Sequence, residues 1–276
     1  MLLADVLTVL DELAPLRYAE SWDNVGLLVG DPAADIAKVL VTVDYTADVA
    51  MEAVAGGASL VVAYHPPIFA AVKRVPHHAL WADALRRGIA LYSPHTALDV
   101  ARDGTNDFLA DACRVDMPSR LALRPFSSSG ASSGGSGSGA GSGKAEPGGI
   151  GLGRVGNAPV IQRSELVTHL KKELELAYVL VAGPLDVPVT RIAVAAGAGG
   201  ELLEDAVRAG AEVFVTGEVR HHDALAAARR GVTVIATLHS NSERAAVRAY
   251  AARIGARLEG VAVTTSLADA DPFVVV

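Results

Sequence analysis

Four residues have the type and the placement of metal ligands: His65, Asp99, His239 and Glu243. Each stands where an apolar run breaks into a polar turn. His65 closes SLVVAYH, Asp99 lies in SPHTALD just past IALYSP, and His239 closes VTVIATLH with Glu243 four residues on. In open α/β sheets the carboxyl ends of the strands are where ligands and reaction centres gather. Imidazoles and carboxylates brought there from distant segments suit a metal site better than scattered surface charge. Spaced i, i+4, His239 and Glu243 share one face if a helix has begun at His239. Ser240 and Glu243 also have the Ser-x-x-Glu spacing of a helix capping box, and these five residues alone favour that reading. Two prolines follow His65 and one precedes His95; with no amide hydrogen and a restricted neighbour, each stiffens its turn. A lone strand-ending histidine is more often an ordinary hydrogen-bonding residue than a ligand, so His65 taken singly favours the former role.

Three further histidines have the chemistry of proton donors, because imidazole titrates near neutral pH. They are His95, in the turn that leads to Asp99, and the adjacent pair His221 and His222 in GEVRHHDAL. A solvated first helical turn accounts for Asp223 there, less readily for two adjacent imidazoles. Asp103, Thr105 and Asn106 read individually as a turn and N-cap cluster. His77, His78 and His169 read as surface helix residues. Trp22 in SWDNVGLLVG reads as a buried ring beside an Asx turn. GLGRVG, residues 151–156, lacks the spacing of a dinucleotide fingerprint and no strand is expected before it.

The elements that must carry these residues follow from the apolar pattern. IAKVLVTVD, SLVVAYH and IALYSP read as strands separated by the helices TADVAMEAVAGG and HALWADALRRG. TRIAVAAG, AEVFVTGE and VTVIATLH, separated by ELLEDAVRAG and HHDALAAARRG, repeat that order. Short β-branched runs alternating with amphipathic helices imply parallel βαβ units, and Gly57, Gly88, Gly210 and Gly231 fall where helices should stop. An internal duplication is the natural expectation, with His65 matching the segment from Glu218 to His222 and the turn from His95 to Asp99 matching that from His239 to Glu243. Ser and Gly dominate residues 126–149, which read as a flexible linker between a first lobe, 1–125, and a second, 150–276.

Composition narrows the function. The 276 residues are 51% hydrophobic, enough for a substantial core, and the formal net charge of -7 argues against extended nucleic-acid binding. A single cysteine, Cys113, excludes an internal disulfide and thiolate-rich metal sites. That leaves His, Asp and Glu, the ligands of catalytic zinc, manganese, iron or magnesium. The start of the chain has neither a secretory nor a transit pattern, and every apolar run is interrupted well short of a membrane span of roughly 20 residues. A soluble, cytoplasmic protein without membrane contact is expected.

SWDNVGLLVGD, YHPPIF, SPHTALDVARDGTNDFLA, GLGRVG, GEVRHHDAL and HSNSER occur in this order and span nearly the whole chain apart from the Ser/Gly-rich stretch. With them the sequence closely resembles the GTP cyclohydrolase I type 2 family of dinuclear-metal proteins, also called NGG-interacting-factor-three-like. The resemblance implies an α/β fold of two similar lobes of parallel-rich sheet flanked by helices, with the metal site in the cleft between them, assembled as a toroidal homohexamer. It implies two divalent cations per subunit (zinc, manganese, iron or magnesium), with His65 and Asp99 ligating one, His239 the other, and Glu243 bridging both. It further implies hydrolysis of a nucleotide; for GTP the attack falls at guanine C8, with His95, His221 or His222 protonating the departing nitrogen. A role of another class is implied too, a metal-containing hexameric scaffold or regulator that binds protein partners. Tyr64 departs from the many bacterial members that carry there a histidine bound to the second metal; Tyr-His-Pro-Pro resembles the eukaryotic branch.

Overall fold

The structure, a computed structural model, describes residues 1–127 and 148–276. All but the ends of the expected linker, 126–149, therefore lies outside the described residues. In chain order the elements are α1 (Leu3–Leu13), β1 (Gly26–Val29), β2 (Lys38–Thr42), α2 (Ala47–Ala55), β3 (Leu60–Ala63), α3 (Leu80–Arg86), β4 (Ala90–Ser93) and α4 (His95–Val100). There follow α5 (Thr105–Ala112), β5 (Leu121–Pro125), β6 (Gly151–Gln162), α6 (Arg163–Glu173), β7 (Leu180–Ala182), β8 (Pro188–Ala195) and α7 (Leu203–Arg208). The last are β9 (Val213–Thr216), α8 (His221–Arg229), β10 (Thr233–Ala236), α9 (Arg244–Arg257) and β11 (Ala262–Thr265). The fold is α/β, with two mixed sheets flanked by helices.

The chain divides into two units, residues 1–98 with 247–276, and residues 99–246. They are not the sequence halves 1–125 and 150–276. The crossing falls inside α4 and the return inside α9, so the C-terminal segment adds its strand to the first sheet.

In the first unit the sheet order is β1-β4-β3-β2-β11, parallel except at the β1 edge. Because successive strand residues point to opposite faces, β2 sends Val39 and Val41 to one side and Leu40 to the other. Val39 and Val41 pack with α1 and with Val247, Tyr250 and Ile254 of α9; Leu40 packs with Val49 and Ala53 of α2. With helices on both faces, the strands read as continuous apolar runs. Each fully buried Val, Leu or Ile contributes about 1.5–3 kcal/mol of transfer free energy.

The second unit repeats this logic around β5-β6-β8-β9-β10-β7, whose central β8, β9 and β10 are parallel. Ile192, Val194, Val213 and Ile235 face α5 and α6, while Ala193, Phe214 and Val234 face α7 and α8. The four expected helix-stop glycines, Gly57, Gly88, Gly210 and Gly231, all have positive φ, the left-handed conformation that ends a helix most cheaply at glycine. Among the described residues no helix is long and apolar enough to cross a membrane.

Candidate metal centre

Register places the chemistry. In the first unit β2, β3 and β4 run side by side, Thr42 opposite Ala63 and Val62 opposite Tyr92, so their carboxyl ends align. Two residues beyond those ends stand Asp44, His65 and His95. The ladder runs past β3 as well: Tyr64 N and His65 N donate to Thr42 O and Val43 O at 2.9 and 3.0 Å, holding His65 in line. Tyr64 is buried in the core of this unit.

Each imidazole of this unit at the strand ends is oriented by a carboxylate. Asp44 Oδ1 lies 2.9 Å from His65 Nδ1, and Asp23 Oδ1 lies 2.8 Å from His95 Nδ1. Asp23 Oδ2 accepts from Thr96 N at 3.2 Å and from Thr96 Oγ1 at 2.5 Å. Burial pushes the Asp23 carboxyl up, but the hydrogen bonds from His95 and Thr96 outweigh it and hold it below the usual carboxylate range. A carboxylate at Nδ1 takes the proton-bearing side of the ring, so the lone pair lies on Nε2. The His95 and His65 rings meet edge to face with centroids 5.4 Å apart. His95 has φ +29, a sparsely populated conformation of the kind that clusters at functional sites.

In the second unit Gly197, Glu218 and His239 follow the aligned ends of β8, β9 and β10. Glu218 Oε1 lies 3.2 Å from His239 Nδ1 and Glu243 Oε1 lies 3.3 Å from His239 Nε2. Glu243 is 1% exposed. Residues Ser240–Ser242 form a single 3-10 turn before α9 begins, and this local winding turns Glu243 back onto the ring. With the Glu218 carboxylate beside Nδ1 favouring the proton there, the Nε2 lone pair and a buried carboxylate oxygen face each other. Two acceptors at that distance repel unless a proton or a cation stands between them. Glycine keeps the space beside this pair open: a Cβ on Gly197 would come within 2.5 Å of Glu243 Oε1 and 3.2 Å of His239 Nε2, and Gly197 has φ +63. Leu238, just before the histidine, has φ +72, a second strained residue at this site.

Asp99 lies one helical turn from His95 on α4, partly exposed. Its carbonyl accepts from Asn106 Nδ2 at 3.0 Å, and Asn106 Oδ1 accepts from Ala196 N at 2.9 Å. Asn106 is thus a buried brace between Asp99 and the turn after β8 rather than one of a set of separate caps. Its neighbour Asp107 accepts from Arg154 Nε at 2.7 Å and Nη2 at 3.1 Å. Arg154, 1% exposed, also donates to Gly151 O, Gly153 O and Ala101 O. GLGRVG is accordingly part of strand β6 with a buried arginine anchor.

His221 and His222 open α8, exposed, with ring centroids 5.3 Å apart. Trp22 was expected to be buried and is instead 58% exposed, because the hydrogen bonds of its turn are made by Asp23 and Asn24 and leave the ring outside. The sequence alone does not mark Asp44, Asp23 and Gly197 as site residues, and Glu218 stands out in it only as part of a charged segment. The available signal was position: Asp44 and Glu218 end strands just as His65 does.

A model of the Duf34/NIF3 (NGG1p interacting factor 3) family matches residues 1–272. The chain belongs to this family. The Duf34/NIF3 relatives include NIF3-like protein 1 of Drosophila melanogaster, 33% identical over 99% of this chain and 89% of that protein. A protein of Clostridium perfringens named GTP cyclohydrolase 1 type 2 homolog is 27% identical over 99% of both chains. Among solved structures, a hypothetical protein of Staphylococcus aureus superposes with a TM-score of 0.81 at 25% identity, covering 100% of this chain and 99% of its own. This Duf34/NIF3 chain and the Staphylococcus protein therefore share their fold, and the six motifs that carry the resemblance lie within the matched residues.

Proposed function

We propose that this protein is a metal-dependent hydrolase with a dinuclear centre, in which His65 and Asp99 hold one divalent cation, His239 the other, and Glu243 both. The observation that carries the reading is the confrontation of His239 Nε2 with the buried Glu243 carboxylate at 3.3 Å, with the Glu218 carboxylate 3.2 Å from Nδ1. The repeated use of a carboxylate behind a histidine supports it, since metal-bound imidazoles almost always donate their other N–H to a carboxylate, a backbone carbonyl or a water. When bound, divalent cations supply Lewis acidity to an attacking water and to the oxyanion that develops. The chain's own part is orientation: Asp44 and Glu218 fix the ring planes, and Asp23 sets the His95 tautomer so that Nε2 can exchange a proton with substrate. The name of the Clostridium relative makes GTP, or another nucleotide, the first substrate to try. The family description, NGG1p interacting factor 3, keeps a partner-binding scaffold as the second reading.

Metal analysis of purified wild type, reconstituted with manganese, zinc, iron or magnesium, and of Glu243→Ala tests this. Bound metal is expected in the wild type, with at least one equivalent lost in a variant that remains folded by circular dichroism. Unchanged metal content would remove the assignment of Glu243. Nucleotide turnover abolished by the same substitution identifies an enzyme; full metal occupancy with no turnover of any nucleotide favours the scaffold.

A further inference from the structure

Trp22 and Phe69 are 58% and 57% exposed, yet they are not scattered surface residues. Their ring centroids are 6.0 Å apart at 44°. They sit on two loops joined by a hydrogen bond from Asn24 Nδ2 to Ile68 O of 2.5 Å, so the pair is held in place on both sides. Trp22 also meets the His95 ring edge to face, centroids 6.2 Å apart. The Asp23 carboxylate that orients His95 has a side chain 0% exposed. Two large rings kept in water, beside a strained and rigidly oriented imidazole, describe a surface prepared for a flat, polar-edged molecule. Aromatic faces accept planar rings by stacking, and the polar group beside them fixes orientation.

We propose that Trp22 and Phe69 form a stacking platform for a planar heteroaromatic ring whose edge is read by His95 Nε2. The proposal rests on the preceding reading only in making this ring part of the substrate; the platform itself belongs wholly to the first unit.

The chain has two tryptophans, and Trp81 packs against the core, so Trp81→Phe leaves Trp22 as the reporter. Its fluorescence is titrated with guanosine, adenosine and ribose 5-phosphate, with metal content measured on the same sample. Saturable quenching by either nucleoside but not by ribose 5-phosphate is expected. In the otherwise native chain Trp22→Ala should weaken nucleoside binding by calorimetry about ten-fold or more, and Trp22→Phe should largely restore it. Absence of saturable quenching, or equal quenching by ribose 5-phosphate, overturns the platform even if metal is bound. Nucleoside quenching in a protein that takes up no metal supports the platform and removes the metal centre. Silent titrations with an altered oligomeric state in Trp22→Ala would assign the rings to a subunit contact and sink the proposal.

Discussion

His65, His95 and His239 each have a carboxylate at Nδ1, from Asp44, Asp23 and Glu218. Such a partner sets tautomer and ring orientation and raises the basicity of Nε2. Asp44→Ala and Glu218→Ala should therefore weaken metal binding by roughly 10–100-fold while leaving the fold intact. Calorimetric titration with manganese or zinc measures this, and native affinity in both variants would deny the two carboxylates an orienting role. Cys113 takes no part in this chemistry: it is fully buried, and burial pushes its thiol far above the ordinary range, so it carries no thiolate.

At the scale of elements, α5 is tied to β6 by Asp107 and Arg154, and to Asp99 and the turn after β8 by Asn106. Burial raises the Asp107 carboxyl, but Arg154 by hydrogen bond and charge, with Arg120, brings it below the usual range. A carboxylate with a depressed folded value contributes stability that is fully present above its unfolded value, about 3.9. That stability is lost as pH falls through the folded value. Urea midpoints should thus drop between about pH 5 and 3, and Asp107→Asn should flatten that drop. The same variant should lose roughly 3–5 kcal/mol at pH 7, because it leaves buried guanidinium charge uncompensated. An unchanged midpoint would mean that the network contributes no stability.

At the scale of the whole molecule, assembly as a homohexamer is a proposal drawn from the family resemblance. Light scattering should give six times the 28.4 kDa chain mass. A monomeric or dimeric mass at micromolar concentration would refute it.

Much of this molecule is legible in its sequence for a local reason. Short continuous apolar runs and helices stopped by glycine fix the βαβ order in both units, and a strand-ending position is visible for His65 and His239. The i, i+4 spacing of His239 and Glu243 makes their pairing visible as an alternative to the capping box, because one short turn joins them. The relation of His95 to Asp23 is not visible, since 72 residues separate them, nor is that of His65 to Asp44, 21 residues away. Which turn lies beside which depends on strand order and register, and these are set by packing on both sheet faces rather than by any local pattern. For the same reason the chain shows as two sequence halves around a Ser/Gly-rich stretch, whereas folding returns residues 247–276 to the first unit. Only the side-chain geometry turned the capping pattern at Ser240 and Glu243 into a carboxylate facing an imidazole, and brought Trp22 to the surface. Residue types at strand ends are written in the chain; their partners are chosen by the sheet.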